Sequence, residues 1–334
     1  MTWRAQSVSV WAMRLLLAAL LLFGSEIILW TPPTHSSLDW ILRGFGYLAL
    51  ATFTLDIAQR YLIRDGYDGM VLIAATALLH ALLINPAVGW AEFPQTLLTR
   101  VMGGDALVQM ILWGIFLAWL RGDIVKYGVY QAVGGLWLGI FWGFWMRWTP
   151  ELRGTFEAVS LGQMALIAGS VFGLIVFVYY TITAQAPRQL DPDLFKLTPL
   201  EWLIWLLVVI ILFLYQTLLG NITGSIFALT VILLMLCWLI LWLRRDPVQD
   251  DHILTVHLPL RVQSPIWMVL LIVSFSGATY ITFNLPLIDD VIYINQLWLM
   301  EIGSFGVGLL WLPLVASVIA VRSVDKMMRE GWTV

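Results

Sequence analysis

Glu26, His80 and Glu301 are ionisable side chains set at a similar depth inside apolar stretches of this chain. Each stands about one or two helical turns in from the end expected on the outer face, roughly 6–9 Å at 1.5 Å per residue. Arg100, Asp105, Gln109, Arg147 and Glu157 lie slightly nearer that surface, and Asp289 and Asp290 adjoin it. If the stretches meet, carboxylates flanking a histidine can take up and release protons near neutral pH. The candidate lining of such a polar cavity is Glu26, His80, Arg100, Asp105 and Glu301. Other chemistries find no support. The four histidines are scattered and the single cysteine, Cys237, lies in an apolar run, so no metal site is indicated. There is no phosphate-binding loop, no serine or cysteine nucleophile with a base beside it, and no evident cofactor motif. No catalytic residue is assigned.

The elements that must position these groups are membrane spans. The chain is 60% hydrophobic and 12% charged, with mean hydropathy +0.87, where soluble domains are about half apolar and a quarter charged. A helix needs about 20 apolar residues to cross a bilayer. Ten stretches qualify: 9–30, 40–61, 69–87, 104–120, 126–147, 157–183, 200–219, 222–243, 265–285 and 296–321. The expected fold is therefore an all-α polytopic membrane protein, a single integral domain over 1–334 without a sizeable soluble domain. With the N-terminus cytoplasmic, only Arg43, Arg100, Arg147 and Arg153 of the 18 cationic residues fall outside. The positive-inside rule then puts both termini in the cytoplasm, and a multi-pass protein of a prokaryotic plasma (inner) membrane is expected. Residues 8–30 lack the cleavage site of a removable signal peptide. The net charge of −3 argues against nucleic acid as a partner. Membrane lipids are the expected partners, with other subunits of a membrane complex a further option.

Two surface patterns bear on packing. Gly135, Gly139 and Gly143 recur every four residues in the fifth span, and Ala165, Gly169 and Gly173 do so in the sixth. Small residues at that spacing allow close helix approach in lipid, which predicts a hairpin packed glycine face to glycine face. Trp142, Trp145 and Trp148 form a stripe expected on the other side, facing lipid or a partner at the outer interface. The segment WGFWMRWTPEL, 142–152, is similar to the tryptophan-rich outer motif of haem-handling cytochrome c assembly proteins. Those carry an aspartate before the proline, where this chain has Thr149, and flanking outer histidines, of which none follows here.

In the connections, residues 92–104 read as a short helix lying on the membrane surface. The segment HILTVHLPLRV, 252–262, alternates like a short strand or hairpin. Asp56, Gln59 and Arg60 are expected to form a local polar cap. The leading functional expectation is a transporter or permease with an outward-facing polar cavity for a small solute. The alternatives are a non-catalytic integral subunit with lipid or pigment contacts, and a membrane enzyme acting on a lipid-linked substrate at the outer face.

Overall fold

The structure is a computed structural model that describes residues 3–29, 37–90, 92–121, 125–148, 172–173, 175–179, 190–244, 252–257, 264–285 and 302–311. Every regular element among them is a helix. These are α1 (Trp3–Leu22), α2 (Ser37–Arg60), α3 (Gly66–Leu83), α4 (Pro86–Trp90), α5 (Ala106–Arg121) and α6 (Val125–Trp148), followed by α7 (Pro199–Leu218), α8 (Gly224–Arg244), α9 (Ile253–His257), α10 (Pro265–Asn284) and α11 (Ile302–Trp311). Two π-helical runs extend the set. Phe23–Leu29 continues α1, and Leu97–Asp105 leads into α5.

Among the described residues, six helical stretches are long and apolar enough to cross a membrane: Val8–Glu26, Ser37–Arg60, Gly66–Leu83, Leu97–Leu120, Pro192–Leu218 and Gly224–Arg244. The other expected spans fall on α6, on the shorter apolar helices α10 and α11, or on residues outside those described. Helices α1, α2, α3 and α5 pack on one another around a common apolar core. Within the α3 span 72% of residues are buried, against 17% for α7 and α8. That contrast makes α7 and α8 peripheral, with Leu203, Leu207, Trp238 and Trp242 turned outward while Trp205, Leu212 and Leu241 face the core.

Local signals explain where the helices begin. Asp65 caps α3, its carboxylate accepting from the backbone N–H groups of Tyr67 and Asp68. Thr198 and Glu201 form a reciprocal capping box on α7, with Pro199 at the first turn. Gly220, at φ 76°, makes the left-handed turn that folds α8 back on α7.

The polar cap at the Arg60 end of α2 reaches further than a local pair. Arg60 Nε donates to both Asp56 oxygens at 2.8 Å, while Asp56 also accepts from Leu197 N at 2.6 Å. Arg60 Nη2 donates to Leu197 O at 2.8 Å, and Gln59 Nε2 to Asp193 at 3.0 Å. Arg14 is 1% exposed, pairs with Glu201 at 2.9 Å, and lies 4.8 Å over the Trp11 ring. This network ties the segment before α7 to α1 and α2.

Four expectations are corrected. The α6 glycines pack on α10: a Cβ at Gly135 meets Leu271 and Ser274, one at Gly139 meets Phe275 O and Ala278, and one at Gly143 meets Thr282 and Thr279. Gly173 has open space beside it, and Ala165 and Gly169 lie outside the described residues. A small-residue groove specifies close approach but not the partner. Helix α10 fits it with Ser274, Ala278, Thr279 and Thr282 at helical spacing. Trp142 is 3% exposed and stacks on Phe275 at 5.6 Å, so it belongs to this interface and not to a lipid-facing stripe. It precedes Gly143 by one residue, which places it at the groove's edge. The side chains of Trp145 and Trp148 lie outside the described ones. The helix expected on the surface at 92–104 is largely the buried π run, with Val101, Met102 and Gly103 inside. Of the expected strand at 252–262, Ile253–His257 is one helical turn. Ile253 N donates to Ile63 O at 2.6 Å.

Replacing Gly139 with leucine places side-chain atoms against the Phe275 carbonyl and should cost about 1–3 kcal/mol by overpacking. Gly134→Ala, where nothing stands within 4 Å, should leave stability unchanged. Thermal unfolding of both variants in one detergent checks the pair.

Candidate functional site: a buried acid–base chain beside a cleft

The sequence supplies one polar group from each of several helices at the Arg43 end of the bundle. The π run after α1 carries Ser25 and Glu26. Helix α2 carries Arg43 and Tyr47, four residues apart and so on one face. Helix α3 ends with His80, and Asn85 follows it. The second π run ends in Asp105, with Gln109 one turn further on along α5. π-helical segments recur at functional sites because the wider turn re-aims side chains. Here both runs deliver acidic groups to one place.

Hydrogen bonds link most of these groups, and an ion-pair contact joins His80 to Asp105. Glu26 is 0% exposed, and its Oε1 accepts three bonds: from Arg43 Nη1 at 2.6 Å, Tyr47 OH at 2.7 Å and Asn85 Nδ2 at 3.0 Å. Tyr47 OH also lies 2.7 Å from His80 Nε2. Because the tyrosine hydrogen goes to Glu26, its oxygen is left to accept, which places a hydrogen on Nε2. His80 Nδ1 faces Asp105 Oδ2, and Ser25 Oγ donates to Asp105 Oδ1 at 2.8 Å. His80 Nε2 is 3.9 Å from Glu26 Oε1. Two carboxylates are thus set against one guanidinium and one imidazole, the balance a buried array requires.

Among the described residues several buried polar atoms at this level have no hydrogen-bond partner, His80 Nδ1 with its ion pair to Asp105 being one. Glu26 Oε2 is buried without a hydrogen-bond partner, although Oε1 has three. Both amide atoms of Gln109 are likewise buried and unpartnered. Nearly all buried polar groups find partners, so these positions suit a proton, a water or a ligand atom.

Arg43 and Asn85 connect the array to a cavity of about 160 Å³ between α2, α3 and α7. Arg43 holds Glu26 and Asn85 through the same Nη1, the second at 2.8 Å. Asp39, Tyr215, Gln216 and Asn221 line the cavity with them.

The structure therefore brings Glu26, His80 and Asp105 together. Arg100 lies five residues before Asp105 on the same π run, half-buried. Glu301 lies outside the described residues; the helix that starts after it, α11, packs on this run where Ser304 O abuts Gly103. Sequence reasoning missed Tyr47 and Asn85, and took Arg43 only as an outer cation. The four-residue spacing of Arg43 and Tyr47 was the available signal.

Comparison with known proteins adds no identity. No protein-family model matches the chain, and neither a curated protein nor a solved structure matches it significantly. By length and composition its helices fit the class of helical membrane proteins.

Removing only Arg43, by Arg43→Leu, strands the Glu26 charge in the interior and should cost about 3–5 kcal/mol. The double variant Arg43→Leu/Glu26→Leu should recover most of that loss. A double-mutant cycle by denaturant unfolding in a single detergent measures the difference.

Proposed function

We propose that this protein is a membrane transporter that moves a small polar solute with exchange of a proton at Glu26, His80 and Asp105. The observation that carries this is the buried series Glu26–Tyr47–His80–Asp105, two hydrogen bonds and one ion pair, joined through Arg43 and Asn85 to an open cleft. A structural ion pair needs only two partners. Here the Tyr47 hydroxyl bridges Glu26 and His80, and His80 in turn pairs with Asp105. An ionisable group inside a membrane span marks a functional pathway by default.

On this reading the chain crosses a prokaryotic plasma membrane about ten times with both termini cytoplasmic, and the cleft opens outward. The cation bias supports that orientation. A second reading, a non-catalytic integral subunit, draws on the outward apolar faces of α7 and α8, with Leu207 57% and Trp238 52% exposed. Lipid covers such faces equally well. Native mass spectrometry of gently extracted protein separates the two, since a heteromeric mass supports the subunit.

The transport reading is tested in proteoliposomes loaded with a pH-sensitive dye, adding amino acids, monocarboxylates, sugars and amines in turn. One class should drive proton movement. Glu26→Gln, which keeps shape and removes the titration, should reduce that flux by about tenfold or more. A flux that Glu26→Gln leaves intact, or a panel in which no solute moves protons, removes the reading.

A further inference from the structure

Resting on that transport reading, we infer that the cleft binds a small zwitterionic amino acid, its carboxylate on Arg43 and its ammonium on Asp39. Both side chains line the cavity. They are four residues apart on α2, hence on one face about 6 Å apart along the axis. A cation and an anion at that separation match the two ends of an α-amino acid.

The remaining hydrogen-bonding groups of the cleft explain why charge, and not hydroxyl recognition, selects the solute. Asn85 donates to Glu26 and accepts from Arg43. Gln216 Nε2 donates to the Ile84 carbonyl at 3.2 Å, and its oxygen accepts from Asn221 Nδ2 at 2.8 Å. These carboxamides are committed to the wall, so a sugar would find few free partners. Arg43 spends only Nη1 on the protein partners described above, and a guanidinium has five N–H donors. Asp39 accepts from the Tyr215 hydroxyl on Oδ1 at 3.0 Å.

Charge balance and size narrow the class further. Arg43 is already matched by Glu26, so a simple carboxylate would displace that pairing and leave Asp39 without a cation, and a simple amine would meet Asp39 but make no use of Arg43. A zwitterion meets both. The cavity, at about 160 Å³, is close to an engineered cavity of about 150 Å³ that admits benzene, roughly six heavy atoms. Alanine has that many. Leu212 and Leu219 supply an apolar wall for its methyl group.

The site also reaches the buried array. A solute carboxylate on Arg43 competes with Glu26 for one guanidinium, so binding in the cleft and the state of Glu26 are linked, and the linkage is reciprocal.

The test is binding to the full chain in lipid nanodiscs, read by thermal shift and calorimetry, with L-alanine, propionate and L-alaninamide as probes. L-Alanine should raise the melting temperature. Propionate, lacking the ammonium, and alaninamide, lacking the carboxylate, should bind at least about tenfold more weakly, a difference of about 1.4 kcal/mol. Asp39→Asn removes the ammonium partner, and Leu219→Trp fills the mouth from a half-exposed position. Both should abolish the alanine response and leave the unliganded melting temperature in place. Equal binding of propionate, no response to L-alanine, or a response that survives both substitutions overturns the assignment. Because binding is read without flux, the two readings fail separately. Alanine binding without proton movement removes transport alone, and flux driven only by other solutes removes the amino acid site alone.

Discussion

A carboxylate taken out of water must be compensated where it stands, and Glu26 sets that constraint for this fold. The penalty for burying an unpaired ion is several kcal/mol, comparable to the whole stability of many domains. Arg43, Tyr47 and Asn85 answer it from α2 and from the end of α3. The end of α1 is therefore held against the start of α2, and α3 is held in register with both. His80 and Asp105 extend the requirement to α5. Apolar packing brings these four helices together without directional preference. The acid–base chain fixes their rotation.

The same helix meets a second constraint of the same kind at its other end. Asp56, 0% exposed, is balanced by Arg60 and by the backbone of Leu197. Helix α2 is thus anchored by charge at both ends, about 26 Å apart between Arg43 and Arg60. Helix α7 is held at both ends, to α1 through the Glu201–Arg14 pair and to α2 through the Tyr215–Asp39 bond. Between them α7 is held mainly by apolar contact, which accounts for a peripheral hairpin that nonetheless has a defined position.

The sequence made depth legible and left azimuth hidden. Glu26, His80 and Glu301 could be placed at one level, with Asp105 slightly nearer the surface, because distance along a helix is a count of residues. Which sides of the helices face one another depends on rotation, and the two π runs shift that rotation at the positions that matter. Tyr47 and Asn85 carry no charge, so they read as ordinary interface residues until the acid they serve is located. The α6 glycine groove was visible in spacing, but its partner was not. Helix α10 offers hydroxyl and alanine positions that are as small as a second glycine stripe. Helical character and span chemistry followed from composition. The six helices that satisfy length and hydropathy in the structure coincide with stretches chosen on those grounds.

A π-helical turn holds one residue more than an α-turn. Sliding a single residue through Phe23–Leu29 would turn everything on one side of it by about 100° and advance it by about 1.5 Å. Ser25 and Glu26 lie inside that run, and Asp105 closes the other. Both carboxylates of the array thus sit at the two places where the backbone has a spare residue. At those places it can act as a screw thread, trading rotation for translation without breaking its helical hydrogen bonding all at once.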